Sequence, residues 1–164
     1  MTSNDRDQSN KHNFEYYKEK KNAYSMELSK EKGLPELIGS EKQVAWATTL
    51  RLEYINLLDE ERNELPLLKA TYAANGMISA RHQKRISQKT AFAENLIRVL
   101  SEKMIEEKEA KVFIELRNKM KSGIVREIFY SNNIFRWIWN NAISEEITKL
   151  ALSLELCTKE DLTN

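Results

Sequence analysis

The chain has 164 residues, 41% hydrophobic and 31% charged, with only four glycines and two prolines. That length suits one domain with a sizeable core, and so few turn formers disfavour an all-β fold, which needs many turns. Lys and Arg number 26 against 25 Asp and Glu, a net charge of +1, so overall electrostatics select neither nucleic acid nor an anionic membrane as partner.

A single cysteine, Cys157, excludes an internal disulfide framework and fits a reducing compartment. The polar, acidic N-terminus carries no apolar stretch that reads as a secretory signal, and no run of about 18 apolar residues could span a bilayer. The expected setting is cytoplasmic.

Residues 1–12 carry no apolar side chain after Met1 and read as a disordered tail. Residues 13–33 read as an N-terminal helical arm, with Phe14, Tyr17, Tyr24 and Leu28 near helical spacing and Lys18, Glu19, Lys20 and Lys21 on the outer face. Gly33 reads as its stop, with Pro35 beyond it to prevent continuation. The helical domain is then residues 34–164.

Its start is the most sharply written feature in the chain. In Gly39-Ser40-Glu41-Lys42-Gln43, the Ser40 side chain can accept from the Gln43 N–H while the Gln43 side chain reaches back to the Ser40 N–H, a capping box. The helix that follows is expected to run to about Arg62 on a stripe of Ala47, Leu50, Tyr54, Leu57 and Leu58. Arg51, Glu53 and the run Asp59-Glu60-Glu61-Arg62 are expected to face water. Pro66 suits a first turn, so a separate short helix is expected from about Leu65 to Ala74, ended by Asn75-Gly76.

From Ser79 to Lys121 there is neither proline nor glycine. Two apolar stripes, one ending near Met104 and one starting near Val112, are separated by the nearly all-charged stretch Glu106 to Lys111, which favours two helices over one. Ile124 to Tyr130 is short and apolar, Ile134 to Asn140 carries Phe135, Trp137 and Trp139, and Ser144 opens a last helix. The fold class expected is all-α, a bundle-like domain of five to seven helices.

Catalytic and metal chemistry find no support in the residue pattern. The two histidines, His12 and His82, and the one cysteine have no zinc spacing, the four glycines never cluster into a phosphate loop, and Glu60, Glu61 and Glu64 read as solvated surface. The expectation is a non-enzyme with no metal and no cofactor.

Two basic stretches carry more information. Between Ser79 and Leu100, Arg81, Lys84, Arg85, Lys89 and Arg98 stand against one acid, Glu94; between Arg117 and Arg126, the cations Arg117, Lys119, Lys121 and Arg126 stand against none. Arg81, Lys84, Arg85 and Lys89 recur at spacings that share one helix face. Such a face could follow a phosphate backbone or an acidic protein surface. In Phe135-Arg136-Trp137-Ile138-Trp139 the two tryptophans cannot point the same way from one helix, so one anchors the core and the other is a candidate interface anchor.

The string Leu34-Pro-Glu-Leu-Ile-Gly-Ser-Glu-Lys-Gln-Val-Ala-Trp-Ala47, followed by Leu50-Arg51, resembles a Leu-Pro-x-Leu-x-Gly-Ser-x-Lys-Gln-x-x-Trp-Ala box of uncharacterised bacterial and prophage proteins. Their tryptophan-rich C-terminal segment is loosely similar to residues 136–141. Some of those proteins carry a cysteine-rich segment before the box, and this chain has none. The resemblance implies a phage or mobile-element setting and transfers no catalytic residue.

The leading functional expectation is a non-catalytic binding protein that inhibits or modulates a larger host protein, for example a nucleic-acid-processing one, as an anti-defence or anti-CRISPR-like inhibitor does. Two alternatives stand beside it. One is a helical nucleic-acid-binding module using the basic face, and the other is a helical homo-oligomer in which Phe14, Tyr17 and Tyr24 exchange between chains. No membrane partner is expected.

Overall fold

The computed structural model describes residues 3–74, 79–117, 123–130, 152–153 and 158–160. The fold is all-α. Its helices are α1 (Ser3–Glu31), α2 (Glu41–Ala74), α3 (Ala80–Glu106), α4 (Ala110–Leu116) and α5 (Ile124–Tyr130). Among the described residues the only extended pairing is a single parallel bridge between Ile38 and Glu109. No helix of the described residues is long and apolar enough to cross a membrane.

Two compact units organise these helices. The first comprises Met1–Tyr54 with Met104–Arg117, the second Ile55–Lys103 with Asn118–Asn164. The core of the first unit holds Leu37, Ala47, Leu52, Tyr54, Met104, Ala110 and Phe113. The second is built on Leu65, Leu68, Phe92, Ala93, Leu96, Ile97, Val125, Ile128 and Phe129.

Helix α1 begins at Ser3, so the segment read as a disordered tail is helical from its third residue. Nothing in residues 3–12 breaks a helix, since the stretch holds neither proline nor glycine. The helix ends as Gly33 requires. Gly33 adopts a φ of 67°, its N–H donates to the Lys30 carbonyl at 3.0 Å, and the Leu34 N–H donates to the Ser29 carbonyl at 3.0 Å. This is the paired hydrogen bonding of a Schellman stop.

Helix α2 runs without interruption through Pro66, which corrects the expected break between Arg62 and Leu65. Proline there removes one backbone bond and crowds the preceding turn, at about 3 kcal/mol. Leu65 and Leu68, on either side of it, are both buried, and each contributes roughly 1.5–3 kcal/mol. The flanking burial outweighs the defect. The buried residues Ala47, Arg51, Tyr54, Leu58, Glu61, Leu65 and Leu68 alternate in steps of four and three along the whole of α2. A 3.5-residue step of this kind keeps one seam turned toward its neighbours.

The charged stretch after Met104 does separate two helices. Residues 107–109 lie outside both α3 and α4, and the gap is pinned by the bridge: the Ile38 N–H donates to the Lys108 carbonyl at 2.7 Å and the Ala110 N–H to the Ile38 carbonyl at 3.0 Å. Tyr54 closes this unit. Its ring stacks on Phe113 at 6.4 Å and its hydroxyl donates to the Phe113 carbonyl at 3.2 Å.

Tyr54 also sets an alkaline limit. Burial, reinforced by Glu53 and opposed by Arg117, pushes its phenol from 10.0 up to about 12. The folded state therefore holds a proton that the unfolded chain releases near pH 10. That stability is complete below pH 10 and is lost as pH rises through about 12. Urea midpoints measured across pH 9–12 should fall over this window, and Tyr54→Phe should flatten the fall at a cost of about 1 kcal/mol at neutral pH. An equally steep fall in the variant would remove Tyr54 as its cause.

Candidate functional site

The most recognisable string in the sequence builds the α1–α2 junction. Ser40 and Gln43 form the reciprocal cap: the Ser40 N–H donates to Gln43 Oε1 at 3.1 Å and the Gln43 N–H donates to Ser40 Oγ at 3.3 Å. Gly39 is fixed by close approach, because a Cβ there would lie 3.1 Å from the Ala110 Cβ and 3.2 Å from Gln43 Oε1. Leu37 and Ala47 are core. The cap and the close contacts account for these residues without a ligand.

Arg51 is the largest departure from expectation in this region. Read as solvated, it is only 1% exposed. Its Nη1 donates to the Pro35 carbonyl and its Nη2 to Ser29 Oγ, both at 2.7 Å, while Nε has no partner among the described residues. Burial lowers its pKa from the ordinary arginine value. One guanidinium thus ties the end of α1 to the loop after it, alongside the Thr49 hydroxyl, which donates to Asn22 Oδ1 at 2.8 Å.

The first basic stretch divides in two. Arg81 and Lys84 are exposed on the opening turns of α3, and Arg85 is half-buried. Lys89 turns inward, which corrects its place on a solvated basic face. Its Nζ donates to the Phe129 carbonyl at 2.7 Å, and burial, then repulsion from Arg85, lowers its pKa. His82 is exposed, and its backbone N–H is capped by Ser79 Oγ at 3.2 Å.

Glu61, also read as solvated, is buried and belongs to the same local structure. Its carboxylate accepts the N–H groups of Gly123 and Val125, the latter at 2.9 Å, at the start of α5. Lys89 meets the other end of that helix. A seven-residue helix is too short to persist alone, and here opposite charges serve its two ends with the polarity its dipole favours.

Of the second basic stretch, Arg117 is exposed and its Cζ lies 5.5 Å from the Trp46 ring, with Lys18 Nζ 5.3 Å from the same ring. Trp46 is half-buried between cation contacts, not sealed in the core. Arg126 pairs with Glu64 at 2.6 Å. Lys119 and Lys121, the aromatic residues Phe135, Trp137 and Trp139, and the helix expected from Ser144 lie outside the described residues. Arg81 and Lys84 belong to the second unit and Arg117 to the first.

Among the described residues no group of three or more His, Cys, Asp or Glu could hold a metal ion. Among the described residues the exposed aromatic side chains lie on α1, where Phe14, Tyr17 and Tyr24 are 66%, 69% and 66% exposed and Tyr16 is also open to solvent. No family model, no curated protein and no solved structure matches this chain.

Proposed function

We propose that the chain is a non-catalytic, cytoplasmic binding protein of phage or mobile-element type that modulates a larger host protein by occupying an acidic patch on its surface. The observation that carries this reading is the shortened basic face of α3. With Lys89 drawn into the second unit's core, Arg81 and Lys84 are the members that stand exposed, one turn apart. Following a phosphate backbone takes a longer run of cations, since affinity there scales with the number of phosphates neutralised. Two adjacent cations suit a compact cluster of carboxylates on a protein. The helical fold and the resemblance of residues 34–51 to a box of prophage proteins support this setting.

The experiment is affinity capture from host lysate with and without nuclease, followed by binding measurements on the recovered partner. A stoichiometric protein should survive nuclease treatment, and Arg81→Glu with Lys84→Glu should weaken its binding at least about tenfold. Recovery of nucleic acid without a protein, with a gel shift abolished by the same double reversal, would transfer the face to nucleic-acid binding.

A further inference from the structure

We infer that α1 is a self-association element, pairing antiparallel with α1 of a second copy of this chain along the row Phe14, Tyr17, Lys21, Tyr24 and Leu28. The row repeats in steps of three and four, the same 3.5-residue rhythm that marks the buried seam of α2. On α2 the seam is covered by the chain's own residues; on α1 the three aromatics are about two-thirds exposed. The packed side of α1 is a different one, made of Asn22, Ser25 and Ser29 against Thr49 and Arg51.

The helix itself needs a mate. Every residue from Arg6 to Lys21 is exposed, and these four turns of α1 meet the rest of the first unit through side-chain tips, Lys18 Nζ over the Trp46 ring and Lys21 Nζ on Glu53 Oε1 at 2.6 Å, and bury no apolar face. A solitary helix of that length is marginal in water even with favourable composition. A 3.5-residue apolar row is satisfied by another helix with the same rhythm, and a second copy supplies one.

Charge selects both the occupant and the direction. Six acids and six bases make α1 neutral, so two copies do not repel as wholes. Parallel pairing would set Lys21 against the partner's Lys21. Antiparallel pairing sets Phe14 against the partner's Tyr17, Lys21 against the partner's Asn10, and Arg6 beside the partner's Glu27. Each of the three aromatics offers about 100–150 Å², so two copies bring about 600–900 Å² before their neighbours are counted. With the flanking side chains this reaches the roughly 1,000 Å² at which specific interfaces begin. A dimer would also present the Arg81–Lys84 turn twice, raising its avidity for a larger partner.

The test is sedimentation equilibrium of the full chain from about 1 to 100 µM. The mass should rise from 19.2 kDa toward twice that value. Phe14→Ala with Tyr17→Ala should hold it at the monomer mass. Glu27→Lys, an exposed change that leaves the packed side of α1 intact, should weaken the dimer about tenfold, and adding Arg6→Glu should restore it. A monomer at every concentration overturns the inference. So does a dimer that ignores the aromatic pair, or one for which the Arg6→Glu change fails to rescue Glu27→Lys.

Discussion

Arg51→Ala is expected to cost the first unit about 3–4 kcal/mol, read as a drop in urea midpoint by circular dichroism. Removing a buried side chain of this size leaves a cavity, and large-to-alanine changes in cores cost about 2–5 kcal/mol. It also strands the Pro35 carbonyl and the Ser29 hydroxyl that the guanidinium serves, each worth about 1–3 kcal/mol when left unpaired. Against this stands relief from burying a cation that has no carboxylate among its hydrogen-bond partners. Arg51→Met separates the two effects. It refills most of the volume and removes the charge, so if packing dominates it should recover more than half of the loss. A methionine variant as unstable as the alanine one would show that the two hydrogen bonds, not the filled space, hold the junction.

What the sequence disclosed about this junction, and what it concealed, have one physical origin. Ser40, Gln43 and Gly33 act through their own backbone neighbours, so a local string suffices to find them, as it does for α5, whose limits match the apolar run from Ile124 to Tyr130. Arg51, Glu61 and Lys89 act on groups far away in the chain: on the Pro35 carbonyl and the Ser29 hydroxyl, on the Gly123 and Val125 N–H groups, and on the Phe129 carbonyl. A charge on a helix is ordinarily solvated, and the local sequence around each of the three points that way.

A signal was nonetheless present. Arg51 lies four residues after Ala47 and three before Tyr54, Glu61 three after Leu58 and four before Leu65, and Lys89 three after Ile86 and three before Phe92. Each charge keeps step with an apolar stripe, which is the mark of a charge carried into the core to meet a partner. The uninterrupted α2 was hidden for a related reason. Pro66 is a local veto, and the burial of Leu65 and Leu68 that overrides it comes from residues distant in sequence.

Glu61→Ala is expected to cost the second unit about 3 kcal/mol, because it leaves the buried Val125 N–H and the half-buried Gly123 N–H at the α5 start without their carboxylate. Hydrogen bonds to a charged acceptor contribute about 1.5–3 kcal/mol each, and a helix of seven residues has little of its own to fall back on. Lys89→Met should cost less, about 1–2 kcal/mol. It removes the ammonium that donates to the Phe129 carbonyl, yet it also removes a cation whose burial is unfavourable enough to lower its pKa. That penalty has a sign of its own. The unfolded chain holds the lysine proton more tightly, so the wild type should gain stability as pH rises toward 10.5, and Lys89→Met should lose that gain.

The decisive measurement is the double variant. If Glu61 and Lys89 hold opposite ends of one helix, releasing the first end already frees α5, and the second substitution then adds little. The combined loss should fall short of the sum by at least about 1 kcal/mol. Strict additivity would mean that each charge stabilises its own surroundings and that α5 is held by Val125, Ile128 and Phe129 alone.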